Sequence, residues 1–190
     1  MAQITNLGAE KIILGIDPGT RYLGYGLIRI TRDKVHVLQY GVLNLTKYTT
    51  QGAKFLKIHE RVMGIVEEFM PDEIAIESPF FGKNVQSMLK LGRVQGMVMS
   101  ISFSKGIPIT EYEPKKIKMA ITGNGNASKE QVAKMLQQLL GLKELPKNLD
   151  STDGLAAAVC HFFNSGRVEV GKSYSGWDAF VKQNDDRVKK

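Results

Sequence analysis

Apolar residues recur along the first 165 positions with two different spacings, which predict a set of strands and helices. Near-continuous runs of Ile, Leu, Val and Tyr predict three strands joined by hairpins, at 12–17, 22–30 and 35–43. Two shorter strands are predicted at 74–77 and 107–112. Helical spacing predicts helices at 51–70, 84–104, 114–121, 128–140 and 151–164. This order of elements indicates a mixed sheet with helices on both faces.

The size and composition of the chain are those of one globular domain. A chain of 190 residues with 43% hydrophobic content buries a real core. No apolar run approaches the ~18 residues of a membrane span, and the first residues lack the basic and apolar segments of a secretory signal. The single cysteine, Cys160, excludes an internal disulfide and a cysteine-cluster zinc site, and it predicts a reducing, cytoplasmic location.

The positive charge of the chain, +7 at pH 7, is concentrated in one central segment. Residues 83–129 contain 8 Lys or Arg against 2 Asp or Glu, whereas residues 1–82 contain 9 of each kind. A concentrated basic block favours a polyanion such as nucleic acid as partner. The alternative is a basic face that only aids solubility.

Four acidic residues lie at the ends of predicted buried elements. Asp17 ends the strand IILGID, Glu77 ends IAIE, and Asp150 and Asp153 share one face at the start of the last helix. Each has a structural explanation by itself: an Asp-Pro-Gly turn, the first solvated residue after a strand, a helix cap. If the first and fourth strands are neighbours and the last helix packs on them, all four carboxylates meet in one cleft.

Carboxylates that meet in one cleft repel each other unless a cation lies among them. Oxygen ligands favour magnesium or manganese over zinc, and two such ions about 3.5–4 Å apart commonly cut phosphodiesters. No histidine base is then required. His36, His59 and His161 have no matching partner in the sequence, and we interpret them as structural.

Five sequence blocks together resemble one family. The segments GIDPGTRYLGYG, IAIESPFFGKN, LKLGRVQG, TGNGNASKEQV and DSTDGLAAAV, in this order and spacing, resemble the RuvC crossover-junction endodeoxyribonucleases over about residues 11–165. The resemblance implies a ribonuclease H-like fold: a mixed five-stranded sheet, three antiparallel strands then two parallel, with helices on both faces. It leaves residues 1–10 as an N-terminal extension and residues 166–190 as a peripheral or flexible tail.

The resemblance also implies an activity. The family acts as a homodimer on four-way (Holliday) junctions in recombination and repair, making paired symmetric nicks, with the RuvA–RuvB branch-migration complex as partner. Its four acids bind two Mg²⁺ ions per subunit, which Mn²⁺ can replace. They correspond here to Asp17, Glu77, Asp150 and Asp153, and we expect Asp17 to bridge the ions.

Several residues near the acids are candidates for DNA contact. The resemblance favours Phe80 for stacking on an unpaired base, and Lys118 and Lys129 for DNA contact or catalysis. Phosphate contacts are the expected role of three further side chains, those of Lys83, Lys90 and Arg93; for these a solvated surface position is the alternative. Two glycines in helix 84–104, Gly92 and Gly96, indicate close backbone contact, which the resemblance assigns to the dimer. Packing of this helix on its own sheet is the alternative.

Other functional interpretations compete with a junction nuclease. The segment GRVEVGKS at 166–173 matches the P-loop pattern, but it follows a helix instead of a buried strand, and we reject it. GIDPGT resembles the phosphate hairpin of actin-like ATPases, whose two domains exceed 190 residues. A ribonuclease acting on RNA–DNA hybrids would use the same acids and metals. A non-cutting module for branched DNA would not need all four acids.

Overall fold

The computed structural model describes residues 10–32, 34–79, 84–146 and 148–165. Its strands are β1 (Lys11–Asp17), β2 (Tyr22–Thr31), β3 (Lys34–Asn44), β4 (Glu73–Glu77) and β5 (Ile109–Tyr112). Its helices are α1 (Gln51–Phe69), α2 (Val85–Ser104), α3 (Pro114–Thr122), α4 (Lys129–Leu140) and α5 (Asp150–Ser165). Each predicted element is present. The predicted start of β5 at residue 107 is wrong by two residues, because Pro108 has no N–H to donate to the sheet.

The five strands form one mixed sheet in the order β3-β2-β1-β4-β5. β1, β2 and β3 pair antiparallel, whereas β4 is parallel to β1 and β5 is parallel to β4. The predicted arrangement of three antiparallel strands followed by two parallel ones is therefore confirmed. Ile16 is paired with Ile76, so the next residues, Asp17 and Glu77, lie side by side at the C-terminal ends of the neighbouring strands β1 and β4.

Helices cover both faces of the sheet, as the sequence predicts. Alternating residues of the strands point to opposite faces, so Leu14 and Ile16 pack with α1 and α2, whereas Ile13 packs with α3, α4 and α5. α5 lies on the second face and is buried along most of its length. None of the helices in the described ranges is long and apolar enough to cross a membrane.

Glycines allow α5 to lie with its backbone directly against β1 and β2. A Cβ atom added to Gly154 of α5 would lie 2.5 Å from the Cα of Tyr25. Added at Gly15 or Gly26, it would overlap the backbone of α5, at Gly154 or Leu155. Because these residues have only a hydrogen atom as side chain, the helix approaches the sheet closely. Its first turn therefore lies beside the C-terminal end of β1, where Asp17 is.

A buried polar network connects α5 to the two parallel strands. The Tyr112 hydroxyl lies 2.8 Å from His161 Nδ1, and His161 Nε2 lies 2.6 Å from Glu73, which also pairs with Lys11 at 2.6 Å. Burial opposes ionisation of Glu73, yet hydrogen bonds from Lys11 and His161 hold its pKa below the ordinary value. The interpretation of His161 as structural is consistent with these contacts, but the expectation that it has no partner is wrong.

Candidate active site

The strand ends place two carboxylates side by side. Asp17 is the last residue of β1 and Glu77 the last residue of β4, each after a run of fully buried apolar positions. In sheets of this kind the carboxyl ends of parallel strands are where ligands bind, because the connecting loops open a crevice there. The pairing of strands one and four, which the sequence analysis set as a condition, is met.

The first turn of α5 supplies the other two acids. Asp150 and Asp153 are three residues apart on one face of the helix, and the Asn148 side chain accepts a hydrogen bond of 3.0 Å from the Asp150 backbone N–H. Acidic residues in a first turn also interact favourably with the helix dipole. Gly24 of β2 lets the Asp150 carbonyl approach the sheet, since a Cβ atom there would overlap that oxygen.

These elements enclose a cavity of about 210 Å³ at the C-terminal ends of β1 and β4. Three of the four predicted acids line it, whereas Asp150 is not among its lining residues. Apolar side chains of α3, α4 and α5 complete the walls, so the acids face a partly dehydrated space. The lining residues are Asp17, Glu77, Pro114, Ile117, Lys118, Lys129, Val132, Asp153 and Ala156.

A lysine connects the two acids of α5. Lys129 Nζ lies 2.7 Å from Asp150 Oδ1 and 2.6 Å from Asp153 Oδ2, so one ammonium group donates to both carboxylates. Across the described ranges, no three Asp, Glu, His or Cys side chains are arranged to hold one metal ion. Three of the acids therefore line one cavity, and Lys129 joins Asp150 to Asp153 beside it. The joint coordination of ions by the four acids stays a prediction.

The electrostatics of the cavity favour additional positive charge. Burial raises the pKa of Asp17 to about 7, and the charges of Asp153 and Asp150 add to the rise while Lys129 opposes it. Burial, followed by the charges of Asp17 and Asp153, raises the pKa of Glu77 to about 8. A cation that entered the cavity would relieve this repulsion and lower both pKa values.

The raised pKa values predict that the metal-free protein loses stability as the pH rises from about 4 toward 8. The folded state retains protons on Asp17 and Glu77 that the unfolded state has already released, so the free energy of unfolding falls with pH in this window. Urea unfolding at several pH values in a chelator is expected to show this decline relative to the double variant Asp17→Asn, Glu77→Gln. Parallel pH profiles for the two proteins would contradict the prediction.

The other predicted DNA-binding residues lie in three places. Lys118 of α3 and Lys129 of α4 line the cavity beside the acids. Lys90 and Arg93 are exposed on α2, away from the cavity lining, and an Arg93 N–H donates to Gln51 at 3.2 Å. Phe80 and Lys83, like Phe81, lie outside the described residues, and their roles stay predictions.

A further lysine, which the sequence analysis did not single out, supports the turn after Asp17. Lys54 Nζ of α1 donates to the Thr20 carbonyl at 3.1 Å. A second cavity, of about 190 Å³, is lined by Thr20, Lys54 and Lys90 among others. Nothing in the sequence around Lys54 distinguishes it from an ordinary solvated lysine, since its partner is 34 residues away along the chain.

Comparison with known proteins decides the family. The family model described as crossover junction endodeoxyribonuclease RuvC matches residues 13–161, which include all four acids and both cavity lysines. The chain belongs to the RuvC family of crossover junction endodeoxyribonucleases. The RuvC of Christiangramia forsetii is 62% identical over 183 residues, covering 96% of this chain and 95% of the relative. The RuvC of Bacteroides fragilis is 57% identical, covering 95% and 97%.

Solved structures agree with the RuvC assignment. Thermus thermophilus RuvC, 33% identical, superposes with a TM-score of 0.73 over 82% of this chain and 95% of that one. The same protein in complex with a Holliday junction substrate gives 0.75 over 82% and 94%. The ribonuclease H-like fold and the endodeoxyribonuclease activity implied by the resemblance are therefore confirmed. The actin-like ATPase and the non-cutting binding module do not describe this RuvC-family chain.

Proposed function

We propose that this RuvC-family nuclease resolves four-way DNA junctions by paired symmetric nicks at the cavity lined by Asp17, Glu77 and Asp153. The observation that supports the proposal most is the convergence at this cavity of acids and lysines from five separate elements, β1, β4, α3, α4 and α5. Such an arrangement places cation-binding oxygens next to phosphate-binding amines, which is what cleavage of a nucleic acid backbone requires.

The donor set is suited to hard divalent cations. RuvC-family nucleases are metal-dependent, and here we propose two Mg²⁺ ions per subunit, replaceable by Mn²⁺, held by Asp17, Glu77, Asp150 and Asp153. Carboxylate oxygens are the ligands these ions prefer, and the raised pKa values of Asp17 and Glu77 favour an added cation. When bound, such ions supply charge neutralisation and an activated water for phosphodiester hydrolysis.

The chain's own residues place and stabilise the DNA. Lys118 and Lys129 lie at the cavity, where their ammonium groups can pair with the phosphate whose negative charge grows as water attacks in line. The products are a 5′-phosphate and a 3′-hydroxyl. We assign stacking on an unpaired base to Phe80. Phosphate contacts farther along the DNA arms are assigned to Lys83, Lys90 and Arg93.

One assay tests the function. The protein is incubated with a labelled mobile four-way junction, a duplex of the same sequence and an RNA–DNA hybrid, each with Mg²⁺ or with a chelator. We expect symmetric nicks in the junction only, and only with Mg²⁺. Cleavage of the hybrid would favour the ribonuclease alternative. Cleavage that persists in the chelator would overturn the metal assignment.

We also propose that the nuclease is a homodimer that pairs through α2. Val85, Leu89 and Phe103 are 64%, 52% and 67% exposed. With Gly92 and Gly96 they form one stripe along the helix at spacings of three to seven residues. A Cβ atom added at either glycine would meet no atom of the described residues within 4 Å, so packing within the part of the chain that the structure describes does not explain these glycines. A two-fold axis through this stripe would relate two identical active sites, which is the number that a symmetric junction needs for paired nicks.

Substitution of Leu89 by Lys is expected to convert the dimer to a monomer. The two-fold axis would bury the new ammonium group of both subunits in an apolar interface, where an unpaired charge is strongly unfavourable. Sedimentation equilibrium measures the mass. The matched control is Leu56→Lys, since Leu56 is 60% exposed on α1 and its variant should stay dimeric. A dimeric Leu89→Lys protein, or a monomeric parent, would exclude this interface.

Two further proposals rest on the family resemblance. The RuvA–RuvB branch-migration complex is the proposed partner during repair, and the cytoplasm is the proposed location. Co-sedimentation of this nuclease with a junction already bound by RuvA and RuvB tests the first proposal. Fractionation of cells tests the second. If the nuclease does not co-sediment with the RuvA–RuvB–junction complex, the proposed partner is wrong. If it is recovered outside the cytoplasm, the proposed location is wrong.

A further inference from the structure

Lys129 occupies an unusual position for a lysine. It is the first residue of α4, directly after the cap residue Ser128. A helix N-terminus carries a partial positive charge, so a cation in the first turn is unfavourable for the helix. The helix start is already satisfied by Ser128 and Gln131, which form a capping box without Lys129. The stability of α4 therefore does not explain why a lysine is placed here.

The contacts of Lys129 explain its position. Its ammonium group donates to one oxygen of Asp150 and one of Asp153, at 2.7 and 2.6 Å. The side chains of Asp153 and Asp150 are 14% and 30% exposed, whereas the lysine side chain is 53% exposed. A flexible amine thus enters from the solvent side and neutralises acids that are fixed in the site, and nothing in its burial prevents it from leaving.

We propose that the ammonium group of Lys129 is the counter-ion of Asp150 and Asp153 in the metal-free nuclease and is displaced when a divalent cation binds them. The inference rests on the proposed function, in which these two acids hold the cation. Lysine and metal then compete for the same oxygens. Metal binding and the pairing of Lys129 with the two aspartates oppose each other by the same free energy, so metal entry and lysine release are one linked event.

Displacement gives the lysine a second task. Once released, the amine lies at the mouth of the cavity beside Lys118, where the phosphate of the substrate is expected. The lysine therefore turns to the DNA only in a site that already contains its cation. The competing possibility is that Lys129 remains bonded to the two aspartates when metal is present and only holds α4 against α5.

A calorimetric titration of the DNA-free protein with Mn²⁺ distinguishes these two possibilities. We expect Lys129→Gln to bind Mn²⁺ about tenfold more tightly than the parent, within the roughly 5–150-fold range of linked equilibria. Lys134→Gln is the control for a lost charge on the same helix, since Lys134 is exposed there, and its affinity should equal that of the parent. Lys118→Gln removes a charge from the same cavity and should gain less than Lys129→Gln.

A second measurement uses the parent protein. Brief acetylation followed by mass spectrometry reports how accessible each lysine amine is. We expect Mn²⁺ to increase the acetylation of Lys129 several-fold relative to Lys134, because the amine leaves its two carboxylates. A ratio that Mn²⁺ leaves unchanged would overturn the displacement.

The outcomes distinguish this inference from the proposed function. If neither the parent nor Lys129→Gln binds Mn²⁺, the proposed metal site fails and the inference fails with it. If the parent binds Mn²⁺ and Lys129→Gln binds it equally or more weakly, the metal site stands and only the displacement is wrong. An equal gain in Lys118→Gln and Lys129→Gln would also be a contradiction, because general electrostatics would then replace specific competition.

Discussion

Asp17→Asn is expected to reduce cleavage of a four-way junction by at least about a thousandfold, while junction binding stays equal or becomes tighter. This loss corresponds to about 4 kcal/mol of transition-state stabilisation. Asp17 is a partly buried carboxylate that lines the cavity with Glu77 and Asp153, and its pKa responds to both acids of α5. An amide removes its charge and hence its value as a cation ligand. The same change removes negative charge that faces the DNA phosphates.

Cleavage and binding are measured separately for this variant, by gel assay with Mg²⁺ and by fluorescence anisotropy in a chelator. Asp72→Asn is the matched control. Asp72 is exposed next to the opposite end of β1 and accepts a hydrogen bond of 2.7 Å from the Ile12 N–H, which an Asn oxygen can also accept. This control should cut like the parent. Retained cleavage by Asp17→Asn would remove Asp17 from the catalytic group.

Gly154→Ala is expected to destabilise the protein by about 3 kcal/mol and to lower cleavage with it. The new methyl group would lie 2.5–2.7 Å from three backbone atoms of Tyr25, which cannot move aside as a side chain could. α5 must therefore shift away from the sheet, at the cost typical of overpacking. Because Asp150 and Asp153 lie on the first turn of that helix, the shift also separates them from Asp17.

Urea unfolding measures the stability of this variant, with Gly64→Ala as its control. Gly64 is exposed in the interior of α1, and a Cβ atom there meets nothing within 4 Å among the residues that the structure describes. Alanine is favoured over glycine inside a helix by roughly 1 kcal/mol, so the control should be more stable than the parent. If Gly154→Ala and Gly64→Ala stabilised the protein equally, the backbone of α5 would not be packed tightly against the sheet at Gly154.

The sheet and the acids could be predicted because both are encoded locally. Apolar runs interrupted by turn residues define the strands, and a carboxylate at the end of a run is visible in the sequence at Asp17 and Glu77. The start of α4 is encoded locally in the same way, by the capping box that Ser128 and Gln131 form. The neighbouring positions of β1 and β4 and the packing of α5 on them had to be assumed.

The contacts that could not be predicted join residues distant in the chain. His161 bonds to Glu73 across 88 residues, and Lys129 reaches Asp150 across 21. Both pairs depend on how far α5 descends onto the sheet, which is set by which glycines face one another, such as Gly15 and Gly154. A sequence pattern reports which face of an element is apolar, but it does not report how closely two backbones approach.

The most direct measurement of the central claim is an anomalous difference map from a crystal of the full chain soaked in Mn²⁺. We expect manganese peaks in the cavity at the C-terminal ends of β1 and β4, with oxygens of Asp17, Glu77, Asp150 and Asp153 in direct coordination. A map without manganese at these carboxylates, from protein that cuts junctions in the same solution, would contradict the account.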